Sequence, residues 1–274
     1  MERNDKDRFD HMGLPEKVRH AKAVLSRALE EFGPKRTALA WTGGKDSTVA
    51  LWLMREVARD TGVSMPGALF LDEGDMFDEI HAFVREVREE WGLELTVVQN
   101  SDPAFKGKSV GDMVSVAELG ANTRAELERL GFVEPSFSFY PESRIGSHIM
   151  KTMVLNEFLE TTKTKALVTA IRWDEHEARE KEEFSSPRQT PAHTRVHPLL
   201  HFKERDVWDL IFEKHIPFCT LYREGYRSLG TRSGTVKASD VPAWEQDLEN
   251  TLERSGRDPE KERILAQLRS LGYM

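Results

Sequence analysis

An α/β fold is predicted, with a mostly parallel, twisted sheet, helices on both of its faces, and a helical tail at the C-terminal end. Three features predict it. Short apolar runs alternate with longer segments of helical period, the pattern of strand–helix–strand units whose strands pair parallel. A glycine turn, TGGKDS (42–47), joins the first apolar run to the helical segment after it. Beyond about residue 237 the alternation gives way to helical spacing alone.

The elements follow in order. Val18, Ala21, Leu25, Ala28, Leu29 and Phe32 lie at helical spacing, so 15–32 reads as an amphipathic helix ending before Pro34. Residues 1–33 are thus a helix packed on the core, 34–236 the α/β domain, and 237–274 a C-terminal helical extension. TALAW (37–41) is the first strand and TVALWLMREVA (48–58) the helix after the glycine turn. GALFLD (67–72) is a second strand, MFDEIHAFVREVREEWG (76–92) a helix closed by Gly92, and LELTVVQ (93–99) a third strand. Residues 100–145 are less regular. AELGANTRAELERLG (117–131) reads as helix and PSFSFYPESRIG (135–146) as loop. HIMKTMVLNEFLETT (148–162) is helical and ALVTAI (166–171) a fourth strand. The polar stretch 173–195 reads as a long loop with a helical start, and VHPLL (196–200) as a short strand. ERDVWDLIFEKH (204–215) is a helix stopped by Pro217. In the tail, Trp244, Leu248 and Leu252 share a helical face before Gly256. Asp258 and Pro259 form an N-cap and first-turn pair for a helix carrying Leu265, Leu268 and Leu271.

Composition narrows the function classes. The 274 residues include 47 acidic and 39 basic side chains, a net charge of −8, and one cysteine, Cys219. One cysteine excludes an internal disulfide framework, a four-thiolate zinc site, a self-contained iron–sulfur cluster and a CxxC redox pair. No stretch approaches the ~18 uninterrupted apolar residues of a membrane span. The first residues, MERNDKDRFDHMG, are charged rather than apolar, so no secretory signal is expected and the location is read as cytoplasmic. The acidic balance argues against broad nucleic-acid binding but is compatible with a local basic groove.

The turn 42–47 sits where an open α/β sheet receives its ligand, at the carboxyl end of a strand and the start of a helix. Gly43 and Gly44 allow a tight turn and close approach of the backbone. Their N–H groups, with those of Lys45, Asp46 and Ser47, are placed to meet an anion, aided by the helix dipole. Lys45 adds a full charge, and Thr42 and Ser47 add hydroxyls. The spacing is not that of a Walker A loop, because Leu39 stands where its first glycine would be and Asp46 follows Lys45. A plain strand-to-helix turn with a solvated lysine is the alternative reading.

The hexapeptide resembles the SGGxDS pyrophosphate loop of the adenine nucleotide α-hydrolases, with Thr42 in place of the first serine. FLDEGDMFDEI (70–80), HIMKT (148–152), AIRWDEHEARE (170–180), RVHPLLHFKERDVWDLI (195–211) and PFCTLYREGYRSLGTRSGT (217–235) resemble segments of the phosphoadenosine phosphosulfate reductase family. The likeness runs from about residue 20 to 236. It implies a Rossmann-like, adenine nucleotide α-hydrolase-like sandwich that binds ATP, or an adenylyl sulfate nucleotide, with Mg²⁺.

The resemblance also distributes roles. Lys45, Asp46, Arg172 and Arg227 are the expected catalytic residues. Thr42, Gly43, Gly44, Lys45, Asp46, Ser47, Asp72, Arg195 and Arg232 are the expected nucleotide-binding residues. A guanidinium at Arg172, just past a strand, suits a tetrahedral oxyanion. Arg179, Arg188 and Arg195 are candidates for the same wall, and Arg227 and Arg232 for a closing loop; a surface ion pair is the alternative for each. Asp72 has three readings: a ribose acceptor, a Mg²⁺ holder or a helix cap. Asp46 has two, a Mg²⁺ ligand or a loop-ordering group. His193, His197 and His201 stand four apart, but Pro198 argues against the helix that would align them on a metal, and no metal-ligating residues are assigned. The FSF at 137–139 is core or loop packing rather than a base-stacking platform.

Reductases of the family use a C-terminal cysteine, and none follows Cys219 here. The expected reaction is therefore nucleotidyl transfer at the ATP α-phosphate with release of pyrophosphate. The acceptor would be a small anion, sulfate or FMN, with adenylyl sulfate as the substrate of the reductase alternative. A GTPase or sulfur-carrier partner and a homo-oligomeric state complete the expectation.

Overall fold

The computed structural model describes residues 9–259. Helix α1 (Leu14–Phe32) buries Ala21, Val24, Leu25, Ala28 and Leu29 along one stripe and stops at Gly33. Then β1 (Thr37–Ala40), α2 (Lys45–Thr61), β2 (Gly67–Asp72), α3 (Asp78–Trp91) and β3 (Leu95–Gln99) follow in the predicted order. An excursion carries β4 (Met113–Ser115), α4 (Ala121–Arg129) and β5 (Ser136–Ser138). The chain returns through α5 (Arg144–Ser147), a π-helical turn (His148–Met153) and α6 (Val154–Thr162) to β6 (Ala166–Val168). The pair β7 (Ser185–Gln189) and β8 (Ala192–Val196) and the helix α7 (Glu204–Lys214) complete the domain.

The six-stranded sheet runs β3-β2-β1-β6-β8-β7. Every neighbouring pair is parallel except β7 with β8. Side chains alternate between faces, as the pleat requires. Leu39, Ala68, Phe70, Ala166 and Val168 join a core built with α1, α2, α3 and α7. Ala38, Ala40, Leu69, Leu71 and Leu167 face the other way, against Val154, Leu155 and Leu159 of α6. The chain winds outward from β1 to β3, then crosses back to β6 on the opposite side of β1. That reversal opens a crevice at the carboxyl ends of β1 and β6, the place where such sheets bind ligands.

The structure departs from the sequence expectations in several places. The expected loop 173–195 contains β7 and all of β8 but its last residue, and the expected strand 196–200 shares only Val196 with β8. Ser186, His193 and Arg195 are buried polar residues on this pair, so hydrophobic alternation is absent where the ladder forms. Pro198 lacks the N–H that a continued strand would need. Residues 100–145 hold a small antiparallel pair, β4–β5, over a separate core of Phe105, Val114, Leu127, Phe139 and Ile149. Phe137 and Phe139 pack there with Phe105, as core.

In the tail, residues 240–256 form no α-helix. Two short 3₁₀ turns, Ala243–Glu245 and Glu253–Gly256, stand in its place. The carbonyls of Asp247, Leu248 and Thr251 accept from the Arg227 guanidinium, so that side chain takes the acceptors a helix would use along its own backbone. The expected helix with Leu265, Leu268 and Leu271 lies outside the described residues. Among the described residues, no helix is long and apolar enough to cross a membrane.

Candidate active site

The turn after β1 is built from its own side chains. Ser47 Oγ accepts the Thr42 N–H at 3.2 Å and donates to the Gly44 carbonyl at 3.0 Å. Thr42 Oγ1 accepts the Gly44 N–H at 3.3 Å. Gly43 has φ of +74°, and a Cβ there would come within 3.0 Å of Ile80 on α3, so both conformation and space call for glycine. The Lys45 N–H, which the sequence assigns to an incoming anion, is instead taken by the hydroxyl of Tyr222 at 2.9 Å. Thr42 and Ser47 thus order the loop.

Lys45 and Arg172 converge beside it. Both are buried, at 1% and 0% exposure. Lys45 Nζ lies 3.1 Å from Asp46 and 3.8 Å from Glu204, and it donates to Glu253. Arg172 donates from Nε to Asp174 at 2.8 Å, from Nη1 to Asp46, and from Nη2 to Glu253. Burial alone would lower the pKa of each cation; the carboxylates outweigh it, Asp46 and Glu253 at Lys45 and Asp174, Asp46 and Glu253 at Arg172, and hold both above their ordinary values. Burial would raise the Glu253 pKa, but Arg172 and Lys45 pull it well below the carboxylate range. Glu204 moves upward, driven by burial and by the charge of Glu253.

The other predicted residues divide. Asp72 ends β2 and accepts the Gly74 N–H at 2.9 Å, which orders a turn; the residue before α3 is Phe77, so Asp72 is not its cap. Arg227 does not line the cleft. It is committed to Glu204 at 2.8 Å and to Thr251 Oγ1 at 2.5 Å, besides the three tail carbonyls. Arg195 is buried on β8 and does not line the cleft. The Arg232 side chain is 60% exposed and 3.9 Å from Asp78, while its N–H donates to the Asp75 carbonyl. Arg188 pairs with Glu182 at 3.0 Å. The three histidines have three separate partners: His193 the Pro191 carbonyl, His197 the Thr169 hydroxyl and His201 the Lys17 carbonyl.

The crevice that remains has a volume of about 150 Å³. The glycine turn forms its floor. Leu71, Met76, Ile80 and Leu229 supply apolar walls, and Lys151, Arg179, Arg254 and Arg257 supply cations. Lys151 pairs with Glu73 at 2.8 Å, and Glu175 bridges Arg179 and Arg254. Such a lining suits a planar ring at one end and oxyanions at the other.

Sequence reasoning missed Tyr222, Glu204, Glu253, Arg254 and Arg257. Tyr222 stands in LYREGY, a segment already singled out. Glu204 stands in RVHPLLHFKERDVWDLI, likewise singled out, and the ERSGR run at 253–257 was the available signal for Glu253, Arg254 and Arg257. Among the described residues no group of three or more His, Cys, Asp or Glu side chains is arranged to hold a metal ion. The donor set fits Mg²⁺ carried by a polyphosphate, with Asp46 as the nearby carboxylate, since Mg²⁺ retains water and takes few protein ligands.

Comparison with known proteins is consistent with this geometry. The chain is 24% identical over 225 residues to a "Probable FAD synthase" of Caenorhabditis elegans, covering 81% of this chain and 34% of that protein. It is 28% identical over 216 residues to sulfate adenylyltransferase subunit 2 of Rhizobium sp., covering 70% and 62%. It is 24% identical over 217 residues to adenosine 5'-phosphosulfate reductase of Geobacillus kaustophilus, covering 79% and 80%. The chain therefore spans a third of the first relative and under two thirds of the second. In fold it is similar to FMN adenylyltransferase of Candida glabrata, at a TM-score of 0.65, 16% identity and coverage of 93% and 94%. It is also similar to phosphoadenylyl-sulfate reductase of Candida auris, at 0.56, 16% identity and coverage of 86% and 98%. The model of the phosphoadenosine phosphosulfate reductase domain matches residues 36–237, and the chain belongs to that family.

Proposed function

We propose that the protein is an adenylyltransferase that joins AMP from ATP to a small oxyanion. One observation carries the reading: the turn 42–47 with its Lys45 lines a cleft with an apolar wall at the carboxyl ends of β1 and β6, and the buried Arg172 stands behind it against Asp46 and Glu253. ATP would lie across the strand ends, its adenine toward Leu71, Met76 and Ile80 and its β- and γ-phosphates on the turn. The acceptor oxygen attacks the α-phosphorus, the bond from that phosphorus to the α,β-bridging oxygen breaks, and pyrophosphate leaves with the electron pair. Lys45, Arg172 and the start of α2 neutralise the leaving charge; Mg²⁺, when bound, would screen the same phosphates. No general base is needed for an acceptor that is already an anion. Catalysis is then positioning and charge stabilisation.

Reduction is the less supported reading. Cys219, the one cysteine, is buried away from the cleft, and burial raises its thiol pKa to about 11. Sulfate and FMN are the two acceptors that the names of the relatives and of the structural neighbour suggest, and "subunit 2" in one of those names supports a partner subunit for this chain; a GTPase or a sulfur carrier is the kind of partner we propose. The test is pyrophosphate release from ATP with sulfate and with FMN, by wild type and by Lys45→Ala. Release that depends on Lys45 and on one acceptor supports the reading. Absence of ATP binding, or ATP binding unchanged in Lys45→Ala, overturns it.

A further inference from the structure

The carboxylate of Glu253 spans the two buried cations of the phosphate site, with Oε1 on Lys45 and Oε2 on Arg172. That is the bridging posture of an oxyanion ligand. Around it the charges do not balance in a ligand's favour. Lys45, Arg172 and Arg227 face Asp46, Asp174, Glu204 and Glu253. A polyphosphate reaching Lys45 and Arg172 would compete with the carboxylates that already hold them, and Glu253, which bridges the two, stands where it would bind. Asp46 is fixed in the first turn of α2 and Glu204 in the first turn of α7, and Asp174 is tied to the Glu204 N–H at 2.9 Å.

Glu253 differs from these three. It rides on a four-residue 3₁₀ turn whose neighbour Leu252 is 79% exposed. In the segment 247–258 Leu248 packs on the main core, and the rest is attached by polar contacts: Arg227 to its carbonyls, Arg254 to Glu175, Arg257 to the Leu229 carbonyl, and the Val236 N–H to the Gly256 carbonyl. Contacts of this kind open at lower free energy than a packed core.

We propose that Glu253 is an internal ligand of the phosphate subsite and that the polyphosphate of the nucleotide displaces it, lifting the segment 247–258. The proposal rests on the phosphate-binding reading of residues 42–47. A site occupied most of the time by its own carboxylate binds more weakly by the fraction that is open.

The test is calorimetric titration of Mg²⁺–ATP into wild type, Glu253→Gln, Glu253→Ala and Lys45→Ala, with amide hydrogen exchange of 247–258 in the wild type with and without ATP. The glutamine variant keeps the side chain's shape if alanine disturbs folding, and the exchange measurement needs no variant. Both Glu253 variants should bind about tenfold more tightly, for an open fraction of roughly a tenth. ATP should also speed exchange in the wild-type segment. Glu253 variants that bind no more tightly, or ATP that slows exchange there, overturn the proposal. In that case ATP binding that is still lost in Lys45→Ala leaves the phosphate-site reading standing; no ATP binding by any of the four proteins removes both.

Discussion

The hydroxyl of Tyr222 accepts the backbone N–H of Lys45 at 2.9 Å, across 177 residues of sequence. The Tyr222 ring is buried edge-on against Trp208 of α7, with centroids 5.2 Å apart, so the hydroxyl is aimed by packing. One side chain thereby fixes the start of α2 to the segment that follows α7.

Tyr222→Phe removes the acceptor and leaves a buried amide unpaired. Such an orphan costs about 1–3 kcal/mol. Chemical denaturation should show a lower midpoint with an unchanged slope and native circular dichroism. An unchanged midpoint would mean that water replaces the hydroxyl.

Gly230 lies against the Arg257 guanidinium, and a Cβ at residue 230 would stand 2.0 Å from Nη2. Arg257 would have to leave its seat, where it donates to the Leu229 carbonyl at 3.0 Å and lies 3.8 Å from Glu142. Gly230→Ala should therefore loosen residues 253–257, lowering stability by roughly 1–3 kcal/mol. Faster tryptic cleavage after Arg254 and Arg257 would report it, and cleavage at the wild-type rate would refute it.

Acid should destabilise the protein before its carboxylates titrate. Burial, aided by His20, depresses the His201 pKa to about 3, and burial lowers those of His193, His197 and His148 as well. The unfolded chain takes up these protons near pH 6.5 and the native state does not. The stability is thus fully present above about pH 6.5 and is lost as pH falls toward the native values. Glu126, held at about 2 chiefly by its hydrogen bond to Arg129, adds a further loss below about pH 4.5. Melting temperatures measured from pH 8 to 5 should fall, and His201→Gln should flatten the slope.

Cys219 should behave as a small core residue. With its thiol pKa raised to about 11 by burial, iodoacetamide should leave it unmodified in the native protein and alkylate it in urea. Cys219→Ala should retain whatever turnover the wild type has. A variant that loses turnover while keeping its fold would restore a thiol mechanism.

The central half of the sheet was legible because its strands are apolar on both faces and its helices carry clean stripes. TALAW and GALFLD became β1 and β2 within a residue or so of their expected ends. The glycine turn was legible as well, being local. The β7–β8 pair was not, since Ser186, His193 and Arg195 put polar groups inward where a strand pattern expects apolar ones. The site's arginines were partly legible. A guanidinium past a strand end could be placed near the crevice, as Arg172 is. Whether a given arginine faces a ligand or holds another part of the chain depends on its partner, and the partners of Arg227 lie at 204 and 247–251. The tail was read from its periodicity alone, which cannot register that a side chain elsewhere has claimed its carbonyls.

The bond between Tyr222 and Lys45 has a temporal side. During synthesis the glycine turn leaves the ribosome long before residue 222, and longer still before Glu253. Until those residues emerge, a nascent chain has its first strands and the loop between them but neither the seat for Lys45 nor the carboxylate that balances it. Completion of the site is thus deferred until the segments that carry Tyr222 and Glu253 have been made, and premature release just beyond the sheet would yield a chain with most of its core and an unfinished centre.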